Sequence, residues 1–158
     1  MKVYNIKLLT LSLILCLGAG GIGSLFTTPA ISTWYTTLNK PVFSPPNFIF
    51  APVWITLYIL MAIAFYLVLI NKSKDKRMAI TFFLTQLVLN VFWSVIFFGL
   101  HNPIFAFVEI IILWIAIFLT IKSFYKISRN ASYLLIPYLL WVSFASVLNL
   151  SIVLLNPF

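Results

Sequence analysis

"WYTTLNKPVFSPPNFIFAPVW", residues 34–54, is the least apolar long stretch of a very apolar chain, and its reading decides the fold. It sets Pro41, Pro45, Pro46 and Pro52, Lys40, two asparagines and several aromatic residues between two hydrophobic runs. A plain connector between membrane helices is short and polar. A connector that is long, stiffened by proline and rich in aromatic rings calls for a use of its own. What that use is depends on what the flanking runs build.

The chain has 158 residues, of which 63% are hydrophobic and 8% charged. Soluble domains carry about 25% charged residues, so this composition belongs in a membrane. A spanning helix takes about 20 mostly apolar residues. Five segments meet that length, at 8–26, 51–70, 79–100, 104–125 and 132–155. The expected architecture is therefore an all-α membrane protein, a single domain over 1–158. It is a bundle of five transmembrane helices with a long ordered first loop. No internal repeat or low-complexity tract breaks the pattern.

Charge orients the bundle. Lys2 and Lys7 precede the first span, Lys72, Lys74, Lys76 and Arg77 lie between the second and third, and Lys122, Lys126 and Arg129 flank the connection to the fifth. Alternation through five spans puts all of them on one side, leaving only Lys40 on the other. Positive residues mark the cytoplasmic side. The expectation is a multi-pass protein of the cell membrane with its N-terminus cytoplasmic and its Pro157–Phe158 end outside. The net charge of +8 is thus topological and does not call for a nucleic-acid partner. The apolar part of the first span is longer than the hydrophobic region of a signal peptide, so it reads as an uncleaved helix. Its glycines suit close helix packing, with Ala19 and Gly23 a small-residue pair one turn apart.

Polar groups in a membrane helix usually face the bundle interior. Gln86, Asn90, Trp93 and Phe97, with Ser94 beside them, fall on one stripe of the third span. Tyr138, Trp141, Ala145, Leu148, Asn149 and Ile152 form another on the fifth. Facing inward, these stripes and Trp54 line one cavity in the outer half of the bundle, on the side of the proline-rich loop. Such a cavity suits a flat, largely apolar ligand oriented by amide side chains. The loop then reads either as a lid over the cavity or, through Trp34, Tyr35 and Trp54, as an interfacial aromatic belt. Plainer roles stand beside each assignment. Trp93 and Trp141 also serve as packing residues, and Asn90 and Asn149 as interhelical hydrogen-bonding groups. Glu109, the only acidic residue within a span, serves equally as a buried structural group. Trp114 reads as packing and His101 as a solvated turn residue.

Catalytic chemistry has little to stand on. One histidine, one cysteine (Cys16, in an apolar run) and one in-span carboxylate make no triad, carboxylate pair or metal site. No cofactor is expected to be required.

Four stretches carry a resemblance: "WYTTLNKPVFSPP" at 34–46, "PVWITLYILMAIA" at 52–64, "QLVLNVFWSVIFFG" at 86–99 and "LLIPYLLWVSFASVLNLSIVLLN" at 134–156. In this order and spacing they resemble the TspO/MBR family, the tryptophan-rich sensory proteins and peripheral benzodiazepine receptor homologues. The resemblance spans nearly the whole chain. It implies a five-helix bundle, often a homodimer, whose first loop covers a ligand pocket. The implied ligands are porphyrins such as protoporphyrin IX and haem, and synthetic isoquinoline carboxamides and benzodiazepines. The implied contacts are Tyr35, Pro45, Trp54, Tyr58, Asn90, Trp93, Ser94, Trp141, Ala145 and Leu148. The main implied activity is that of a porphyrin receptor or carrier. Two alternatives are light-dependent porphyrin degradation, with Trp54 and Trp141 as the reactive groups, and a non-catalytic scaffold. The sterol motif of animal members needs a tyrosine followed by a basic residue near the end of the fifth span. Here that end reads "LNLSIVLLNPF" and has neither.

Overall fold

The computed structural model describes residues 5–73 and 76–157. Lys2, Lys74 and Phe158 of the topological reading lie outside the described residues. Among the described residues seven α-helices follow one another: α1 Ile6–Ile31, α2 Trp34–Thr37, α3 Asn47–Leu69, α4 Lys76–Ser94, α5 Pro103–Tyr125, α6 Arg129–Tyr133 and α7 Ile136–Leu155. A π-helical turn, Val95–Gly99, extends α4. Five helical segments are long and apolar enough to cross a membrane, with α4 counted through its π turn and α6 and α7 together making the fifth. The chain is an all-helical, multi-pass membrane protein.

Local chemistry sets the helix ends. The Asn5 side chain accepts a hydrogen bond from the Leu8 N–H and opens α1, and Asn102 does the same for Phe105 at the start of α5. Pro103 follows at the first helical position, where its missing N–H is not needed. The first helix outruns its predicted end at residue 26 and continues through Pro29 to Ile31. There the Thr33 hydroxyl donates to the Pro29 carbonyl at 2.7 Å, satisfying one of the acceptors left free at a helix end. The third helical element starts at Asn47, directly after Pro45–Pro46, earlier than the predicted residue 51. The first loop is accordingly 32–46.

The helices pack α1 on α3 and α4, α4 on α5, and α5 on α7. Buried residues of α1 (Ser12, Cys16, Ala19, Gly23) fall on one stripe, and their small size lets neighbouring helices come close. The half of the bundle away from the loop holds a stack of rings. Phe83 stacks between Phe65 at 4.3 Å and Phe124 at 5.7 Å between ring centroids. Midway along, a polar bridge crosses three helices. The Tyr58 hydroxyl donates to Asn90 Oδ1, and Asn90 Nδ2 donates to the Tyr138 hydroxyl at 2.9 Å. Above that bridge the backbones of α3 and α7 stand apart, and rings reach across the gap: Trp54 to Tyr138 at 6.3 Å and Phe50 to Trp141 at 6.1 Å.

The basic connections share one end. The Asn5 N–H donates to the Tyr66 hydroxyl, tying the start of α1 to the end of α3, and Asn71 donates to the Ile127 carbonyl. Lys40 lies at the opposite end, where its ammonium donates to the carbonyls of Tyr35 and Leu38 and sits 4.8 Å over the Tyr35 ring.

Candidate functional site

In the loop half of the bundle, α1, α3, α4 and α7 enclose a cavity of about 420 Å³. That volume lies within the range of small-molecule sites, about 300–1,000 Å³. Its floor is Tyr58, held by the bridge to Asn90. Its far walls are Trp93, Ser94, Phe97 and Phe98 from α4 and its π turn, and Trp141, Ala145, Leu148, Asn149 and Ile152 from α7. Trp54 and Phe50 of α3 line one side, and the glycine-rich face of α1 lines the other.

The roof is the first loop. Tyr35, on the single turn of α2, is only 3% exposed. Its ring packs against Phe97 at 6.3 Å and Phe98 at 5.9 Å. Both phenylalanines are buried although they are consecutive. Both lie in the π turn Val95–Gly99. The Leu100 N–H donates to the Val95 carbonyl, five residues back, at 2.8 Å. The turn ends on His101, which holds a left-handed φ of 51° and stacks on Trp34 at 4.5 Å. His101 is exposed in a turn, as read from the sequence, and it also anchors the loop. Further along, Asn39 and Asn156 clasp each other: the Asn39 N–H donates to Asn156 Oδ1 and Asn156 Nδ2 donates to the Asn39 carbonyl, both at 2.9 Å. Burial pushes the Tyr35 phenol above its ordinary pKa, against a hydrogen bond with Ser44 that lowers it.

The predicted site residues divide clearly. Tyr35, Trp54, Tyr58, Trp93, Ser94, Trp141, Ala145 and Leu148 all line the cavity. Asn90 and Pro45 do not. Asn90 lies behind the floor with both ends of its amide engaged by tyrosines, and Pro45 is half-buried in the stretch leading to α3. Asn149 reaches the wall, but its amide is also occupied. Its oxygen accepts from the Trp93 indole at 3.3 Å, and its nitrogen donates to the Pro103 carbonyl at 2.9 Å. The cavity offers mainly ring faces, and the Trp141 indole N–H on its wall has no hydrogen-bond partner among the described residues. Phe50, Phe98 and the whole α1 wall were not among the expected contacts. Glu109 is 8% exposed and outside the cavity wall, and neither of its carboxyl oxygens has a hydrogen-bond partner among the described residues. Trp114 donates to the Ser143 hydroxyl at 2.8 Å and stacks on Phe118, consistent with a packing role.

Comparison with known proteins matches this sequence to a family. Residues 12–155 match the model of the TspO/MBR family. The chain is 46% identical to the tryptophan-rich protein TspO of Chlorobaculum tepidum, over 97% of this chain and 99% of that one. It is 48% identical to the protein of the same name from Archaeoglobus fulgidus, over 96% and 99%. It is 35% identical to the translocator protein of Homo sapiens, over 81% and 78%. The chain belongs to the TspO/MBR family.

Proposed function

We propose that this protein is a membrane receptor or carrier for porphyrins and related flat apolar ligands, held between Trp54, Trp93 and Trp141 beneath the first loop. The observation that carries this reading is the cavity itself: about 420 Å³, walled by indole and phenyl rings, with most of its amides and hydroxyls already engaged. Ring faces in an enclosed, largely apolar site favour a flat aromatic ligand over a polar one. Titration of the protein with protoporphyrin IX, followed by tryptophan quenching, tests it. Trp54→Ala and Trp141→Ala are each expected to weaken binding about tenfold. Loss of one stacking partner removes about 0.5–1.5 kcal/mol besides buried area, and tenfold corresponds to about 1.4 kcal/mol. Titration curves that stay unchanged in both variants would assign these tryptophans to packing. A new product formed under illumination, and lost in the tryptophan variants, would point instead to photo-oxidation of the porphyrin.

The same reading places the protein in a cell membrane with the loop on the outer face. The support is the charge asymmetry: Lys7, Lys72, Lys76, Arg77, Lys122, Lys126 and Arg129 share the end opposite Lys40. In a Cys16→Ser background, Asn39→Cys is expected to react with an impermeant thiol reagent on intact cells and Lys72→Cys is not. Both positions are exposed on the protein, so the membrane alone decides the outcome. The reverse pattern would invert the topology.

A further inference from the structure

The wall of the cavity is not closed all round. Every exposed residue that lines it belongs to α1 or α3. On α1 these include Leu17, Gly21, Ser24 and Thr28, and on α3 Ala51 and Ile55. Leu17 is 40% and Ile55 54% exposed. Both helices are spanning segments, and Leu17 is near the middle of α1. The opening therefore faces lipid, not water. Toward the middle of α1 the rim is apolar in effect, with Leu17, Gly21 and Ile55 on it and the Ser24 hydroxyl donating to the Gly21 carbonyl at 2.7 Å, whereas Thr28 and Asn47 add polar groups only at the loop end. A Cβ added at Gly21 would meet no atom within 4 Å, so the residue without a side chain stands at open space on the rim. The other way in, under the loop, is held shut. Tyr35 is buried against Phe97 and Phe98, Trp34 is stacked on His101, and Asn39 is clasped by Asn156.

We propose that the cavity exchanges its ligand directly with the bilayer, through a side opening between α1 and α3, while the first loop stays closed as a fixed roof. The proposal rests on the reading of the cavity as a site for flat apolar molecules, and it narrows that class to molecules that dissolve in the acyl-chain region. Diffusion in the membrane plane then delivers them, and no ligand has to cross the aqueous loop.

The test follows a reaction rate that does not depend on porphyrin affinity. Ala145→Cys, introduced with Cys16→Ser, places one thiol in the cavity wall. The full chain is reconstituted in lipid bilayers that already contain N-(1-pyrenyl)maleimide, a flat apolar probe, and the labelling rate is read by pyrene fluorescence. Gly21→Phe is expected to slow labelling at least tenfold by filling the opening from α1. Ile55→Trp should do the same from the opposite rim, so the result does not hang on the folding of one variant. Asn156→Ala, which cuts the loop clasp, is expected to leave the rate within about twofold. Labelling at the parent rate in a folded rim variant, or acceleration of more than about threefold when the clasp is cut, would overturn the side opening. A failed porphyrin titration would remove the proposed ligand while the labelling rates still reported the route.

Discussion

Asn90→Leu is expected to lower the stability of the protein by about 2 kcal/mol, although it replaces a polar residue in a membrane by an apolar one of similar size. Asn90 is 3% exposed and holds two tyrosine hydroxyls on two other helices. Leucine would leave both hydroxyls buried without their partner. An orphaned buried hydroxyl costs about 1–3 kcal/mol in water-soluble proteins. Interhelical bonds in membranes average about 0.6 kcal/mol with a maximum near 1.7, so roughly 1 kcal/mol per hydroxyl is the working figure. The bridge also fixes Tyr58 as the cavity floor, so ligand affinity should fall with stability. Removing all three polar groups together, as Tyr58→Phe, Asn90→Leu and Tyr138→Phe, should recover most of the loss, because no unpaired group then remains. Denaturation in mild detergent measures both. A triple variant as unstable as the single one would mean that Asn90 matters for shape and not for hydrogen bonding.

The stripe of Gln86, Asn90 and Trp93 was legible because polar and indole residues are conspicuous in an apolar helix. Which of them meet the cavity was not. In lipid a polar side chain is satisfied by whichever polar group is nearest, and that choice is tertiary. Asn90 finds Tyr58 and Tyr138, and Asn149 finds Trp93 and the Pro103 carbonyl. Five spans followed from length and hydropathy alone, since nothing else accommodates such apolar runs. Their ends did not. Hydropathy treats 132–155 as one run, whereas the Ser128 cap starts the short α6 and Pro137 falls in the first turn of α7. The π turn has no signature in residue type. It is a shift of backbone hydrogen bonding, and Phe97 and Phe98, which both face Tyr35, lie within it.

The opening question about residues 34–54 also needed the structure. The aromatic residues of that stretch do not share one role. Tyr35 is buried in the roof and Trp54 lines the cavity, whereas Phe43 and Phe48 are exposed. Of the three residues that read as either lid or belt, Tyr35 and Trp54 line the cavity and Trp34 stacks on His101. Pro45 and Pro46 lead directly into α3, where fixed φ angles set the entry to the helix. Sequence spacing cannot assign such roles, because the loop's path is decided by contacts with distant residues such as Asn156 and His101.

The glycines of α1 were legible as small and illegible as wall, and they separate by their surroundings in a way that can be measured. Gly20→Leu is expected to cost about 1–3 kcal/mol, the usual range for overpacking a filled interior. A Cβ there would lie 2.5 Å from one Tyr58 ring atom and 2.7 Å from another. The ring cannot retreat without cost, because its hydroxyl is fixed on Asn90 and Trp54 lies beside it at 5.7 Å, which leaves only the cavity. Either α1 moves away from α3 or Tyr58 is pushed into the cavity, and both reduce ligand binding. Gly18→Leu is the matched control, since a Cβ at Gly18 meets nothing within 4 Å. There the only change is a better helix former replacing glycine, worth up to about 1 kcal/mol in favour of the variant. The two substitutions are identical in chemistry and two residues apart on the same helix, so hydropathy and propensity give them the same sign. Only contact with Tyr58 separates them. Equal melting temperatures in detergent would show that α1 does not pack on α3 at Gly20, and the cavity floor would then lose the support assigned to it.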